Sequence, residues 1–116
     1  MSLDEYLVKN GIPYLNEGHM YQKQANLIDT CVDWSKIKTI LEIGFNGGHS
    51  ADFFLSHRGV SVVSFELTPG NQALVGKKYM DEKYPGRHEI VWGDSTMTVP
   101  KFESRKFDLI FIDGGH

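Results

Sequence analysis

The stretch Glu42-Ile43-Gly44-Phe45-Asn46-Gly47-Gly48-His49-Ser50 places an acid, three glycines and an amide at the end of an apolar run. Glycine lacks a Cβ, so the chain can turn sharply there and a ligand can pack directly on the backbone. The dinucleotide fingerprint G-x-G-x-x-G fails, because Asn46 stands where its second glycine belongs. A phosphate loop fails too, because no lysine follows the glycines. The carboxylate of Glu42 would repel a pyrophosphate and favour an ammonium or a sulfonium.

Two further positions could share a ligand with that turn. Glu66 ends the next apolar run, with Leu67 after it, and an acid there can accept from both hydroxyls of a ribose. Gly93-Asp94-Ser95 ends a third run. Asp94 could accept from an exocyclic amine and Ser95 could bond a ring nitrogen, although a turn capped by an Asx side chain needs the same residues. His19, His49, His57 and His88 have no metal-ligand spacing and read as structural or surface residues.

These residues need strands to carry them. Strands are expected at 39–44, 60–67, 88–94 and 107–113. The first and last are near-continuous apolar runs, which suits strands covered on both faces of a parallel sheet. Helices are expected at 51–58, with Ser50 as N-cap and Gly59 as its stop, and at 72–84, opened by Pro69-Gly70-Asn71 and stopped by Pro85-Gly86. Met20, Leu27, Ile28, Cys31 and Val32 recur at helical spacing ahead of the first strand. Residues 95–106 hold Pro100 and allow at most a helical turn, and residues 1–18 form an unassigned N-terminal segment. The order β-α-β-α-β-x-β predicts an α/β, Rossmann-like parallel sheet with flanking helices and right-handed crossovers. Its ligands should lie beyond the carboxyl ends of the strands.

The 116 residues suffice for one small domain. A net charge of −3 argues against a nucleic-acid partner that needs a broad basic surface. No apolar run approaches the length of a membrane span, and the N-terminus lacks the apolar core of a secretory signal. Cys31 is the one cysteine, expected as a buried free thiol in a reducing, cytoplasmic setting.

Taken together, residues 19–116 resemble a class I S-adenosylmethionine-dependent methyltransferase. "LEIGFNGGHS" is similar to that superfamily's first motif, "VVSFE" to its second and "WGDS" to its third. "FDLIFIDGGH" is most similar to small-molecule O-methyltransferases of the catechol, caffeoyl-CoA and macrocin types. The resemblance implies S-adenosyl-L-methionine as cofactor. Glu42, Gly44, Phe45, Asn46, Gly47, Gly48 and Ser50 would cradle its methionine part, Glu66 and Leu67 its ribose side, and Asp94 and Ser95 its adenine. It also implies that Asp113 contacts the cofactor or binds a divalent cation such as Mg²⁺, which prefers oxygen ligands. His116 falls where those enzymes place a catalytic base.

The implied acceptor is a hydroxyl of a small molecule, such as a sugar or a phenol, with nitrogen acceptors still open. The family fold has seven strands and this chain carries four. With the family's order 3-2-1-4 the fourth would be an apolar edge. The expectation is therefore an incomplete methyltransferase domain, or a sheet completed by a homo-oligomer or partner chain. Two other readings stand beside it: a non-catalytic module that binds an adenosine cofactor or a partner, and an NAD(P)-binding oxidoreductase domain, which Asn46 disfavours.

Overall fold

In the computed structural model, residues 1–12, 22–94 and 107–112 are described. Helix α1 (Leu3–Lys9) and helix α2 (Gln22–Cys31) precede a short 3₁₀ turn at Trp34–Lys36. Strand β1 (Thr39–Ile43), helix α3 (His49–Leu55), strand β2 (Ser61–Glu66), helix α4 (Asn71–Lys83), and strands β3 (His88–Trp92) and β4 (Leu109–Ile112) follow. The sheet runs β3-β2-β1-β4 with every pair parallel. The expected Rossmann-like order is thus present, and each strand lies within the run assigned to it.

Helix α1 was not foreseen. Its local signals are good: the Ser2 side chain accepts from the Glu5 amide at 3.2 Å, Asp4 and Glu5 occupy the positive end, and Lys9 the negative end. An isolated seven-residue helix is marginal in water, so packing must hold it. Leu3, Leu7 and Ile12 are buried in the main core with Phe54, Ala73 and Met80.

That core fills one face of the sheet. Ile40 and Val62 meet α3 and α4 residues there, with α1 packed on α4. Leu41, Val63 and Phe65 form a second cluster, as strand alternation requires. Two clips fix the sheet's entry end. Asp108 accepts from the Lys38 and Thr39 amides at 2.8 and 3.1 Å, which holds its carboxyl below the usual range. Arg87 donates to the carbonyls of Val60, Leu55 and His57 at 2.8–2.9 Å, tying β3 to the end of α3.

Three expectations are corrected. Cys31 is exposed, because the apolar stripe of α2 is only partly used: Ile28 packs on the core while Leu27 is 63% exposed. β4 is covered on one face only, leaving Ile110 and Ile112 at 60% and 66% exposure. Helix α3 starts at His49 with Gly48 as N-cap, so Ser50 lies inside the first turn and caps nothing.

Candidate functional site

The topology selects the place. β1 is followed by β2 on one side and by β4 on the other, so chain connections diverge at the carboxyl end of β1. Ligands of open α/β sheets bind in that crevice. The turn at residues 44–48 leaves β1 into it.

The turn's backbone explains its composition. Gly44 and Gly48 have φ of 95° and 100°, in the left-handed region that a side chain strains. Asn46 has φ 54°. Asparagine is among the few non-glycine residues that tolerate this conformation, so it takes up a backbone shape a glycine would otherwise supply. Gly47 and Gly48 also lie close against neighbouring side chains. A Cβ on Gly47 would come within 2.7 Å of Gln72 Nε2, and one on Gly48 within 2.7 Å of Met80 Cε. Gly76 of α4 faces the Gly47 carbonyl so closely that no Cβ fits between them.

Glu66 holds the turn from the neighbouring strand. Its Oε1 accepts from the amides of Asn46 at 2.6 Å and Phe45 at 3.1 Å, and its Oε2 from the Leu67 amide at 3.0 Å. Leu67 is 64% exposed beside it. Asp94 is exposed at the end of β3. Phe45 turns its ring into the core, stacked on His88 with centroids 5.1 Å apart, so only its backbone faces the crevice side of the turn. Ser50 is buried, and its hydroxyl has no hydrogen-bond partner among the described residues.

Glu42 is fully buried on β1, ahead of the turn. Its Oε2 accepts from Ser64 Oγ at 2.6 Å, and Ser64 Oγ lies 2.9 Å from His88 Nε2. Burial, and secondarily the charge of Lys77, push the His88 imidazole down to about 3. Sequence reasoning missed Ser64, and it read His88 as structural or surface without naming a partner for it. Of the two serines in the run "VSVVSFEL", Ser64 falls in its apolar middle, and that was the available signal. It missed as well the contact of His49 Nε2 with Asp4 Oδ1 at 2.8 Å, which ties α1 to the start of α3.

Ser95, Asp113 and His116 lie outside the described residues. Among the described residues no group of three His, Cys, Asp or Glu side chains could hold a metal ion. Among them also, no helix is long and apolar enough to cross a membrane.

The parallel order with a glycine turn at its switch point defines a Rossmann-like fold. A family described as "Methyltransferase domain" matches residues 41–116, and the chain belongs to that family. The chain is similar to cofactor-bound Rv0187 from MTB, at 26% identity and TM-score 0.70, over 85% of this chain and 46% of that one. An O-methyltransferase from Bacillus cereus in complex with SAH shares the fold at 23% identity and TM-score 0.70, over 96% of this chain and 60% of that one. So does the O-methyltransferase TomG from Streptomyces achromogenes, involved in tomaymycin synthesis and in complex with SAM, at 20% identity and TM-score 0.72, over 96% of this chain and 51% of that one. The chain spans about half the length of these structures. No curated protein sequence matches it significantly.

Proposed function

We propose that this chain forms the cofactor-binding part of an S-adenosylmethionine-dependent methyltransferase that acts on a hydroxyl of a small molecule. The observation that carries the reading is the Glu66 carboxylate across the turn. It stands at the end of β2, where an acid can accept from the ribose hydroxyls of an adenosine cofactor. The turn it brackets carries Asn46 in place of the dinucleotide fingerprint's second glycine, which disfavours a dinucleotide. Within the family, that cofactor is S-adenosylmethionine.

The residues present fit this cofactor. A carboxylate offers about four lone-pair sites, and the three amides on Glu66 leave room for a ribose hydroxyl. Leu67 offers an exposed apolar surface beside it, Asp94 offers an acceptor for an adenine amine, and Ser95 is the residue assigned to donate to a ring nitrogen. Gly44 lets the methionine part approach the backbone. When bound, the cofactor would supply an electrophilic methyl group on a sulfonium, whose C–S bond breaks as an acceptor oxygen forms the new C–O bond, with the thioether as leaving group. The protein's contribution is orientation of the two partners, which can supply a large part of the rate gain. We assign the acceptor's proton to an imidazole nitrogen of His116. Asp113 is the oxygen ligand that a divalent cation such as Mg²⁺ would use.

Calorimetric titration of S-adenosylhomocysteine into the chain, with NADH as control, tests the reading. Saturable heat from S-adenosylhomocysteine and none from NADH is expected. Heat from NADH alone, or from neither ligand with a folded chain, overturns it.

A further inference from the structure

Helix α1 touches the glycine turn and its exit at two points. Leu7 Cδ1 lies 3.3 Å from where a Cβ on Gly47 would stand, so this side chain packs on the bare backbone of that glycine. Asp4 Oδ1 accepts from His49 Nε2 at 2.8 Å, and His49 directly follows Gly48. The pair is partly shielded from water, with side-chain exposures of 12% for His49 and 45% for Asp4. The Gly48 amide closes the turn onto the Phe45 carbonyl at 2.9 Å, and the Gly48 carbonyl accepts from the Asp52 amide at 2.8 Å as α3 begins. His49 therefore stands at the joint between turn and helix, and Asp4 grips it from α1.

Three elements thus hold the turn: β2 through Glu66, α4 through Gly76, and α1 through Leu7 and Asp4. They are not equally secure. β2 is paired on both sides in the sheet and α4 has thirteen residues, whereas α1 has seven. Helix α1 is kept in place by Leu3 and Leu7 in the core and by Tyr6 edge-on to Tyr79, with centroids 5.3 Å apart. A helix this short does not persist alone, and elements with few anchors open locally at the lowest cost. When α1 leaves, both of its contacts leave with it. We propose that α1 is a clasp on the cofactor turn, with Asp4 and His49 as positioning residues, so that docking of α1 raises cofactor affinity. The inference rests on the cofactor reading above and adds regulation to that site. Coupling between two events is reciprocal, so the bound cofactor must tighten the docking of α1 by the same factor.

The test reads both sides of that coupling with S-adenosylhomocysteine. Calorimetry measures its affinity for wild type, Asp4→Ala, Asp4→Asn, His49→Leu, His49→Gln and the Asp4→Ala/His49→Leu double variant, with a thermal melt of each. Asp4→Ala and His49→Leu should each weaken binding about threefold. The double variant should be no weaker than His49→Leu, because the two changes remove one contact. Asp4→Asn keeps an acceptor and His49→Gln keeps a donor, so both should bind nearly as wild type does. Amide hydrogen exchange supplies the second readout. Saturating ligand should slow exchange at the Tyr6 and Asn10 amides, which bond to the Ser2 and Tyr6 carbonyls within α1, and should slow it less in Asp4→Ala. A merely structural pair would lower the melting temperature while leaving affinity and the ligand's effect on α1 unchanged, and that result overturns the inference with the cofactor reading intact. Folded wild type that binds no S-adenosylhomocysteine removes the cofactor reading and this inference with it. If His49→Leu fails to fold, Asp4→Ala against Asp4→Asn decides, because equal affinities in those two overturn the proposal.

Discussion

The Glu66 carboxylate at the end of β2 and the Asn46 amide in the turn after β1 meet at 2.6 Å, so one strand's last side chain shapes the loop of the strand beside it. Glu66 is therefore a structural bracket before any ligand arrives. A ribose hydroxyl must share it with the Phe45 and Leu67 amides.

Glu66→Ala should accordingly act twice. Losing a charged acceptor from these amides should cost about 1–3 kcal/mol of stability. S-adenosylhomocysteine affinity should fall as well. Urea unfolding and calorimetry separate the two effects. Unchanged affinity in the folded variant would refute the ribose assignment.

Gly76 gives a prediction whose sign is informative. In an ordinary helix interior, glycine to alanine stabilises by roughly 1 kcal/mol. Here the new methyl would meet the Gly47 carbonyl and the Phe45 ring. Gly76→Ala should instead destabilise by about 1–3 kcal/mol, and should weaken S-adenosylhomocysteine binding by displacing the turn. A raised melting temperature would show that α4 does not press on the loop.

The pH dependence follows from His88. Its pKa is lowered from 6.5 in the unfolded chain to about 3 in the fold. Between those values the unfolded state binds the extra proton, so this contribution is complete above pH 6.5 and is lost as pH falls. The slope approaches roughly 1.4 kcal/mol per pH unit below about pH 5.5. Urea unfolding at pH 7 and pH 5 should show the decline, and His88→Gln should flatten it. Identical pH profiles for the two proteins would exclude His88 as the source.

Asp113 is tested through metal. In a protein that contains this chain and turns over, Asp113→Asn should abolish the activity that Mg²⁺ restores after chelation. Full restoration in the variant would remove Asp113 from the ligand set.

Much of the fold was legible because its signals are local. Valine-rich runs mark the strands, Pro69-Gly70 and Pro85-Gly86 bracket α4, and the alternation of elements leads to a parallel sheet. The turn at 44–48 was legible as a turn because glycines after a buried strand let the backbone bend sharply. Three features misled. Cys31 sits on a helical apolar stripe, yet burial depends on what the stripe faces, and α2 presents only part of it to the core. β4 reads as doubly covered, yet its outer isoleucines are exposed. Ser50 has the chemistry of a cap, yet the turn enters the helix two residues earlier.

By itself, then, the sequence determined the strands, helices α3 and α4, their parallel order and the crevice where a ligand would lie, but not helix α1, because periodicity and turn chemistry act over a few neighbouring residues. Only the tertiary structure decided which side chains cooperate. Ser64 and His88 stand 24 residues apart and Ser64 and Glu42 22 apart, and they meet because parallel pairing brings β1, β2 and β3 side by side. The contact of Gly76 with Gly47 has the same origin. Such contacts depend on strand register and helix approach, which are set by the packing of the whole core and leave no mark on any single stretch of chain.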